Sequence, residues 1–254
     1  MLVDVLFDPF EGSWNDIRAG ALAAEQAGFD GVWLYDHLAG SVHGASRVVE
    51  CWTTLTALAA VVPRISIGPL VLNVANRDAG TLAVMAATLQ EVSGGRLLLG
   101  LGAGGGLDTP YGAEQLALGR SVPGAAVRRR WVDDAVARIR EVWTGAAGGA
   151  TGFLRPLPAP PIIIGGFGPK MAELAGRVGD GINAPGGARL GQLIEIARDA
   201  HARSGRDPDQ FVVTASSGPR GHQRLADLGV DRVIIFVRPP YASGVAQVHS
   251  ALKG

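Results

Sequence analysis

Two patterns of apolar positions alternate along the chain: short runs of Val, Ile and Leu, and longer stretches with a helical repeat. The runs predict strands, and the stretches that follow most of them predict amphipathic helices, which is typical of a parallel α/β protein. Eight strands are predicted, near residues 2–8, 31–36, 65–72, 96–102, 161–165, 181–184, 211–216 and 232–237.

Three connecting helices are recognisable, two from residues at their ends and one from the spacing of its apolar side chains. Ser13 followed by Asp16 is typical of a helix start, and Gly28 suits a left-handed helix end between the first two strands. Pro169 suits the first turn of a helix that ends near Gly179. Another helix follows the third strand, where apolar side chains recur at helical spacing at Leu82, Met85, Ala86, Leu89 and Val92.

Eight strands in 254 residues predict a (β/α)8 TIM barrel formed by a single domain, residues 1–254, with a doubly wound open sheet as the alternative. The fourth and fifth predicted strands start 65 residues apart, so an insertion lies between them. It contains a helical stretch at 127–143, a glycine-rich segment at 145–152 and a proline-rich, extended lead at 154–161.

Charge and cysteine content exclude several classes of protein. Basic and acidic residues number 23 each, so no overall field attracts nucleic acid or a membrane surface. Cys51 is the sole cysteine, which excludes an intrachain disulfide and indicates a reducing, cytoplasmic environment. The amino-terminal stretch lacks an export-signal pattern, and the apolar runs are shorter than the roughly 20 residues of a spanning helix. We therefore expect a cytoplasmic protein without a membrane partner.

The first candidate site is Tyr35-Asp36-His37, at the carboxyl end of the second predicted strand. Barrel enzymes place their chemistry at this end of the strands. Histidine exchanges protons near neutral pH, and the adjacent carboxylate accepts hydrogen bonds from a cofactor or a substrate. The alternative is that Asp36 only caps the next turn and that His37 lies at the surface.

Two glycine motifs follow strands. The fourth strand opens into Gly102-Ala103-Gly104-Gly105-Gly106, where the backbone approaches another group closely or the loop is merely flexible. The fifth strand leads through a glycine turn to Lys170 at a helix start. Free N–H groups and the positive helix end predict a phosphate site there, and a tight turn is the alternative.

Other motifs carry less information. Asn73 and Arg77 follow the third strand, where the arginine either binds an anion or pairs within the chain. The histidines lack a paired metal-ligand spacing, so no metal site is predicted, and no GxSxG elbow for a serine nucleophile is present. The basic string at 128–130 is a solvated helix face or attracts an anionic cofactor tail.

Four segments together resemble the luciferase-like monooxygenase superfamily, in particular its branch that depends on the deazaflavin coenzyme F420. The segments are GFDGVWLYDHL at 28–38, RISIGPLVLNVANRD at 64–78, LAVMAATLQEVSGGRLLLGLGAG at 82–104 and PPIIIGGFGPKMAELAGRVGDGIN at 160–183. The resemblance implies a (β/α)8 barrel with the ring of the cofactor at the carboxyl ends of the strands.

The resemblance also assigns roles to residues. A non-proline cis peptide bond is expected at Leu70-Val71, behind the ring, and Asp36 and His37 are the expected catalytic residues. The implied cofactor-binding residues are Asp36, Leu70, Val71, Asn73, Gly102, Ala103, Gly104, Asp108, Gly165, Gly166, Phe167, Gly168, Pro169 and Lys170.

The chain departs from the family pattern at two points. Relatives that oxidise sugar phosphates carry a glutamate after the fourth-strand glycine motif, where this chain has Gly105 and Gly106. A sugar-phosphate substrate is therefore disfavoured. Relatives are also longer, so shortened insertion segments and a shallow substrate pocket are expected.

The resemblance implies hydride transfer between C5 of coenzyme F420 and a small organic substrate, with His37 exchanging the coupled proton. Two alternatives are an FMN-dependent monooxygenase that uses oxygen and a trimmed protein that binds a flavin or deazaflavin without turnover. Family members commonly pair through barrel helices, so a homodimer is expected. The sequence specifies neither the substrate nor the direction of hydride transfer.

Overall fold

Nine parallel strands form one nearly closed barrel in the computed structural model, which describes residues 1–253 except the side chains of residues 220 and 223. The strands are β1 (Leu2–Phe7), β2 (Gly31–Leu34), β3 (Ser66–Pro69), β4 (Leu72–Asn73), β5 (Leu99–Gly102), β6 (Ile162–Gly165), β7 (Gly181–Ala184), β8 (Val212–Ser216) and β9 (Arg232–Val237). Their order is β3-β2-β1-β9-β8-β7-β6-β5-β4. The predicted barrel is confirmed, and the open doubly wound sheet is wrong.

The third predicted strand, residues 65–72, is divided in the structure. β3 pairs with β2, whereas β4 pairs with β5, so this one segment supplies both ends of the strand order. An isolated bridge between Ile67 and Leu97 brings β3 toward the chain before β5. The division lies at Leu70-Val71, which is a cis peptide bond as the resemblance implied. The prediction of eight continuous strands is therefore wrong at this position, because the chain changes partner within the strand.

Helices cover the outside of the barrel: α1 (Trp14–Ala27), α2 (Cys51–Val61), α3 (Ala79–Val92), α4 (Pro110–Ala117), α5 (Ala125–Thr144), α6 (Pro169–Val178), α7 (Leu190–Arg203), α8 (His222–Asp227) and α9 (Tyr241–Lys253). The predicted ends of α1 are confirmed, with a capping box between Ser13 and Asp16 and a left-handed Gly28 at φ 83°. Pro169 lies in the first turn of α6, as predicted. None of the helices within residues 1–253 is both long and apolar enough to cross a membrane.

Some predicted strand bounds are too long. Residues 35–36 and 96–98 lie outside the strands, because the chain turns away from the sheet after Leu34 and joins β5 only at Leu99. The insertion before β6 contains the predicted helix as part of α5, and residues 146–161 have neither helix nor strand. The chain between β5 and β6 therefore contains two helices, α4 and α5, and an irregular lead into β6.

A buried polar network joins three adjacent strands, β2, β1 and β9. Asp4 of β1 is fully buried, and its carboxylate accepts hydrogen bonds from Trp33 Nε1 at 2.8 Å and from Arg232 Nη2 and Nε at 2.7 and 2.8 Å. Trp33 lies on β2 and Arg232 on β9. A buried charge without its partner is costly, so these three side chains depend on one another.

We predict that Asp4→Ala lowers the free energy of unfolding by about 3–5 kcal/mol, because it leaves Arg232 buried without its carboxylate. Urea denaturation measures the change. Glu195→Ala, which removes an exposed carboxylate on α7, is the control and changes stability by less than about 0.5 kcal/mol. Equal effects of the two substitutions contradict the assigned role of the network.

Candidate active site

Asp36 lies just beyond β2, at the carboxyl end of the barrel, and its side chain is fully buried. Its carboxylate accepts hydrogen bonds from the backbone N–H of Asn73 at 3.0 Å and from Nδ2 of Asn76 at 3.1 Å. Arg77 donates to both carboxylate oxygens, at 3.0 and 2.9 Å. Asp36 therefore ties the end of β2 to the segment that follows β4.

Arg77 also binds Glu50, the residue that caps α2. Burial opposes the charge on the guanidinium, but the hydrogen bonds and charges of Asp36 and Glu50 outweigh burial and raise the pKa of Arg77. Of the two alternatives that the sequence left open for Arg77, the structure shows pairing within the chain. The arginine fixes the wall of the site.

His37 faces Glu114 of α4. Its Nδ1 lies 3.5 Å from Oε2 of Glu114, and the two side chains are 17% and 3% exposed. Within residues 1–253, this buried Nδ1 has no partner in hydrogen-bonding geometry. Oε1 of Glu114 accepts hydrogen bonds from the backbone N–H groups of Leu38 and Ala39. The carboxylate is thus held in place by the chain that immediately follows His37.

The Glu114 carboxyl is ionised more easily than an ordinary glutamate. Burial opposes ionisation, but His37 and the backbone N–H groups of Leu38 and Ala39 outweigh burial and lower the pKa of Glu114. Glu114 thus stays ionised beside the ring of His37. The pair is therefore suited to exchange a proton at His37.

Aromatic side chains surround His37 and form what we call the aromatic cluster: Phe10, Tyr35, His37, His43 and Tyr111. Tyr111 stacks on His37 with ring centroids 4.9 Å apart and an interplanar angle of 20°. Phe10 lies against His43 at 4.5 Å. Burial, with smaller contributions from Asp8 and Tyr111, raises the pKa of Tyr35, so its hydroxyl stays protonated. The cluster gives the site an apolar wall with polar edges.

Several glycines lie so close to the side chain of Val71 that a Cβ atom at their positions would overlap it. A Cβ added to Gly102 lies 2.5 Å from Val71 Cγ2, and one added to Gly165 lies 2.9 Å from the same atom. A Cβ on Gly100 meets the Pro69 carbonyl and lies 3.0 Å from Val71 Cγ1. The close approach predicted at the glycine motif is therefore made by the chain's own Val71, which stays partly exposed.

Asn73 and the remaining glycine-loop residues lie beside Val71. Gly104 has φ +65°, and a Cβ there lies 2.5 Å from Asn73 Nδ2. Asn73 Oδ1 accepts a hydrogen bond from the N–H of Ala75. Asp108 is exposed, and its Oδ1 lies 2.6 Å from a Cβ added to Gly106. Ala103 packs against the core. The structure thus brings the two predicted motifs, at 70–73 and 102–104, into contact.

The turn between β6 and α6, residues 165–170, has the features of an anion site. Gly168 provides no side-chain cap for α6. The N–H of Gly166 donates to Asn183 O, whereas those of Phe167 and Gly168 donate to no acceptor within residues 1–253. Phe167 is 74% exposed. This turn presents N–H groups at the positive end of a ten-residue helix.

An open cavity of about 460 Å³ lies at the carboxyl ends of β1, β2, β8 and β9. Its walls combine apolar side chains with three hydroxyl groups. It is lined by Leu6, Tyr35, Ser216, Ser217, Gly218, Pro219, Ile234, Ile235 and Phe236. Through Tyr35 it adjoins the aromatic cluster. No group of three or more metal-binding side chains occurs within the part of the chain that the structure describes.

Sequence reasoning missed Glu114, Tyr111 and the role of His43. The Thr109-Pro110 pair was a local signal for the start of α4, since Thr109 caps this helix and Pro110 lies in its first turn. Nothing local indicated that Glu114 meets His37, because the two are distant in sequence and meet only through the tertiary fold. The cavity residues on β8 and β9 also lacked a motif.

The fold and the site define a parallel barrel with a polar and aromatic site at the carboxyl ends of its strands. A family model described as luciferase-like monooxygenase matches residues 6–219. The chain belongs to the luciferase-like monooxygenase family.

Curated relatives and solved structures agree with this membership. An F420-dependent glucose-6-phosphate dehydrogenase of Microbacterium testaceum is 31% identical over 210 residues, 77% of this chain and 61% of that protein. A 5,10-methylenetetrahydromethanopterin reductase of Methanolobus tindarius is 33% identical over 210 residues, 77% of this chain and 58% of that protein. The chain thus spans 58–61% of the length of these two relatives.

Among solved structures, an F420-dependent secondary alcohol dehydrogenase in complex with an F420-acetone adduct has a TM-score of 0.85 with this chain. The match covers 100% of this chain and 99% of that chain, at 18% sequence identity. This likeness shows a shared fold.

We predict that Gly102→Ala destabilises the protein by about 1–3 kcal/mol, because the new methyl group overlaps Val71. In a Val71→Ala background the same substitution costs little, since the remaining neighbours of that methyl group lie at 3.7 and 3.9 Å. Denaturation of the wild type, both single variants and the double variant forms a complete cycle. The same cost in both backgrounds contradicts the contact.

Proposed function

We propose that the protein is an F420-dependent oxidoreductase that transfers a hydride to or from a small organic substrate. The observation that carries the proposal is that His37 faces the carboxylate of Glu114 at 3.5 Å, in an aromatic cluster that adjoins the open cavity through Tyr35. When bound, a deazaflavin supplies a hydride donor or acceptor at its C5 atom. The relatives named above, whose names include F420-dependent enzymes, support this choice of cofactor.

The residues that suit the cofactor lie on two sides of the barrel mouth. Val71 packs against glycines and leaves a partly exposed apolar surface for a flat ring. Asn73 provides an amide group beside Val71. The turn at 165–170 offers N–H groups to a phosphate, with Lys170 adding a positive charge. We assign Leu70, Ala103 and the glycines at 102 and 104 to the wall that supports the ring, and Asp108 to its exposed edge.

Asp36 has a positioning role in this proposal. Its side chain is fully buried, and both of its oxygens already accept hydrogen bonds from Arg77. It orients the segment that carries Asn73. The proton that accompanies the hydride is exchanged at the imidazole of His37, which faces the carboxylate of Glu114 at 3.5 Å.

The cavity suggests the class of substrate. Its apolar walls and the hydroxyl groups of Tyr35, Ser216 and Ser217 suit a small alcohol or carbonyl compound. Gly105 and Gly106 stand where relatives that oxidise sugar phosphates have a glutamate. We therefore favour a neutral alcohol or ketone over a sugar phosphate as the substrate.

Parallel titrations of the purified protein with coenzyme F420 and with FMN test the cofactor, followed by ligand fluorescence and thermal stabilisation. We expect selective binding of F420 at about micromolar or tighter affinity. Selective binding of FMN replaces the proposal with an oxygen-using monooxygenase. Binding of F420 without hydride exchange on a panel of alcohols, ketones, enones and imines favours a binding protein without turnover.

The roles of His37 and Glu114 are tested with a substrate found in that panel, with reduced F420 for a ketone, enone or imine and oxidised F420 for an alcohol. We expect His37→Ala to lower turnover by about 10²–10⁴-fold with little change in F420 affinity. Glu114→Gln keeps an acceptor for the Leu38 and Ala39 N–H groups but removes the negative charge beside His37. Because the pKa of Glu114 lies below its ordinary value, the wild type loses this charge only at acid pH. We therefore expect Glu114→Gln to lower turnover and to lack the fall in rate that protonation of Glu114 causes at acid pH.

Glu195→Gln is the matched control for Glu114→Gln, since it removes an exposed carboxylate on α7. It leaves both the rate and the pH profile unchanged. Full turnover of His37→Ala with an unaltered pH profile removes His37 from the mechanism. An unaltered profile in Glu114→Gln assigns that residue to packing alone.

A further inference from the structure

A second cavity, of about 390 Å³, lies between α5 and α6 on the outside of the barrel. We call it the α5–α6 cleft. Lys170, Glu173 and Arg177 are spaced three and four residues apart, so they share one face of α6. Leu174, which is buried, provides the apolar floor. Arg129, Arg130 and Asp133 line the opposite side on α5.

The cleft carries a net positive charge. Four of its side chains are basic and two are acidic. Arg177 pairs with Asp133 at 2.6 Å and bridges the two helices. No carboxylate within residues 1–253 lies within 4.0 Å of the cationic groups of Arg129, Arg130 or Lys170. These three cations are therefore available to an anion, with Glu173 as the one unpaired acidic neighbour.

Lys170 connects the cleft to the turn at 165–170. It ends the turn and also lines the cleft. From Lys170 to Arg177 the helix rises about 10 Å, which matches about three extended residues of a linked chain. A ligand with its phosphate on the turn therefore reaches the cleft directly with its next groups, and negative groups spaced along such a chain face Arg129 and Arg130.

We propose that the α5–α6 cleft binds the oligocarboxylate tail of the deazaflavin cofactor. This proposal rests on the proposed function, in which the turn at 165–170 binds the phosphate. Coenzyme F420 carries a chain of glutamate carboxylates beyond its phosphate, whereas FMN ends at the phosphate. The cleft thus favours ligands that carry a negatively charged tail, and it does not alter how the ring is bound.

The test compares two ligands that share the ring and the phosphate: F420 with several glutamates and its precursor without glutamates. Each is titrated by fluorescence into the wild type and into an Arg129→Gln/Arg130→Gln variant. Arg138→Gln is the control, because it removes an exposed positive charge farther along α5. Titrations at low and high salt separate charge effects from packing effects.

We expect the wild type to bind the glutamylated ligand about five- to tenfold more tightly than the precursor at low salt. The double variant loses this preference and retains its affinity for the precursor, and Arg138→Gln behaves like the wild type. High salt reduces the preference in the wild type. Thermal unfolding confirms that the double variant is folded.

Two results overturn the proposal while the proposed function stands. The first is equal affinity of the wild type for the two ligands, and the second is an equal loss of affinity for both ligands in the double variant. The second result assigns the arginines to the phosphate or to the fold. If neither deazaflavin binds the wild type, the proposed function and the cleft proposal fail together.

Discussion

The buried carboxylate of Asp36 imposes the constraint on which the barrel mouth depends. A buried charge is tolerated only when it is paired and fully hydrogen-bonded. The Asp36 carboxylate accepts hydrogen bonds from Asn73, Asn76 and Arg77. Arg77 also binds Glu50 at the start of α2 and so links α2 to this network. Three chain segments that are distant in sequence are thereby fixed at one side of the site. His37 comes directly after Asp36, so its backbone position is fixed as well.

The wall next to this network, around Val71, is set by shape instead of charge. Where β3 gives way to β4, Val71 projects into space that Gly100, Gly102 and Gly165 leave open. Side chains at these glycines would displace it. The glycine excess around β5 therefore reflects the packing of an irregular strand within the protein, in addition to any approach of a ligand. The hydrogen bonds and charges around Asp36 and the close packing around Val71 together hold the site.

Most strands and helices could be predicted from the sequence, because apolar runs, helix caps and turn glycines act on the chain locally. The capping box at Ser13 and the first turn of α6 at Pro169 are of this kind. The resemblance implied the cis bond at Leu70-Val71, but the division of the third strand at this bond was not predicted, since residues 65–72 form one continuous apolar run. The pairing of His37 with Glu114 had no local signal at all. Contacts between distant segments arise from the three-dimensional path of the chain, and periodicity does not encode them.

Asp4 and Arg232 lie in the amino-terminal halves of β1 and β9, and the cavity is lined by residues farther along both strands. Trp33, the third member of the network, packs with Leu6 and Ile234 of the cavity lining, so the network and the cavity share one buried cluster. The lining residues on the segment after β8, Ser217, Gly218 and Pro219, lie outside that cluster, so substitutions there alter the cavity without touching the network. This segment is therefore the place where laboratory evolution can seek new substrates with the least cost to folding.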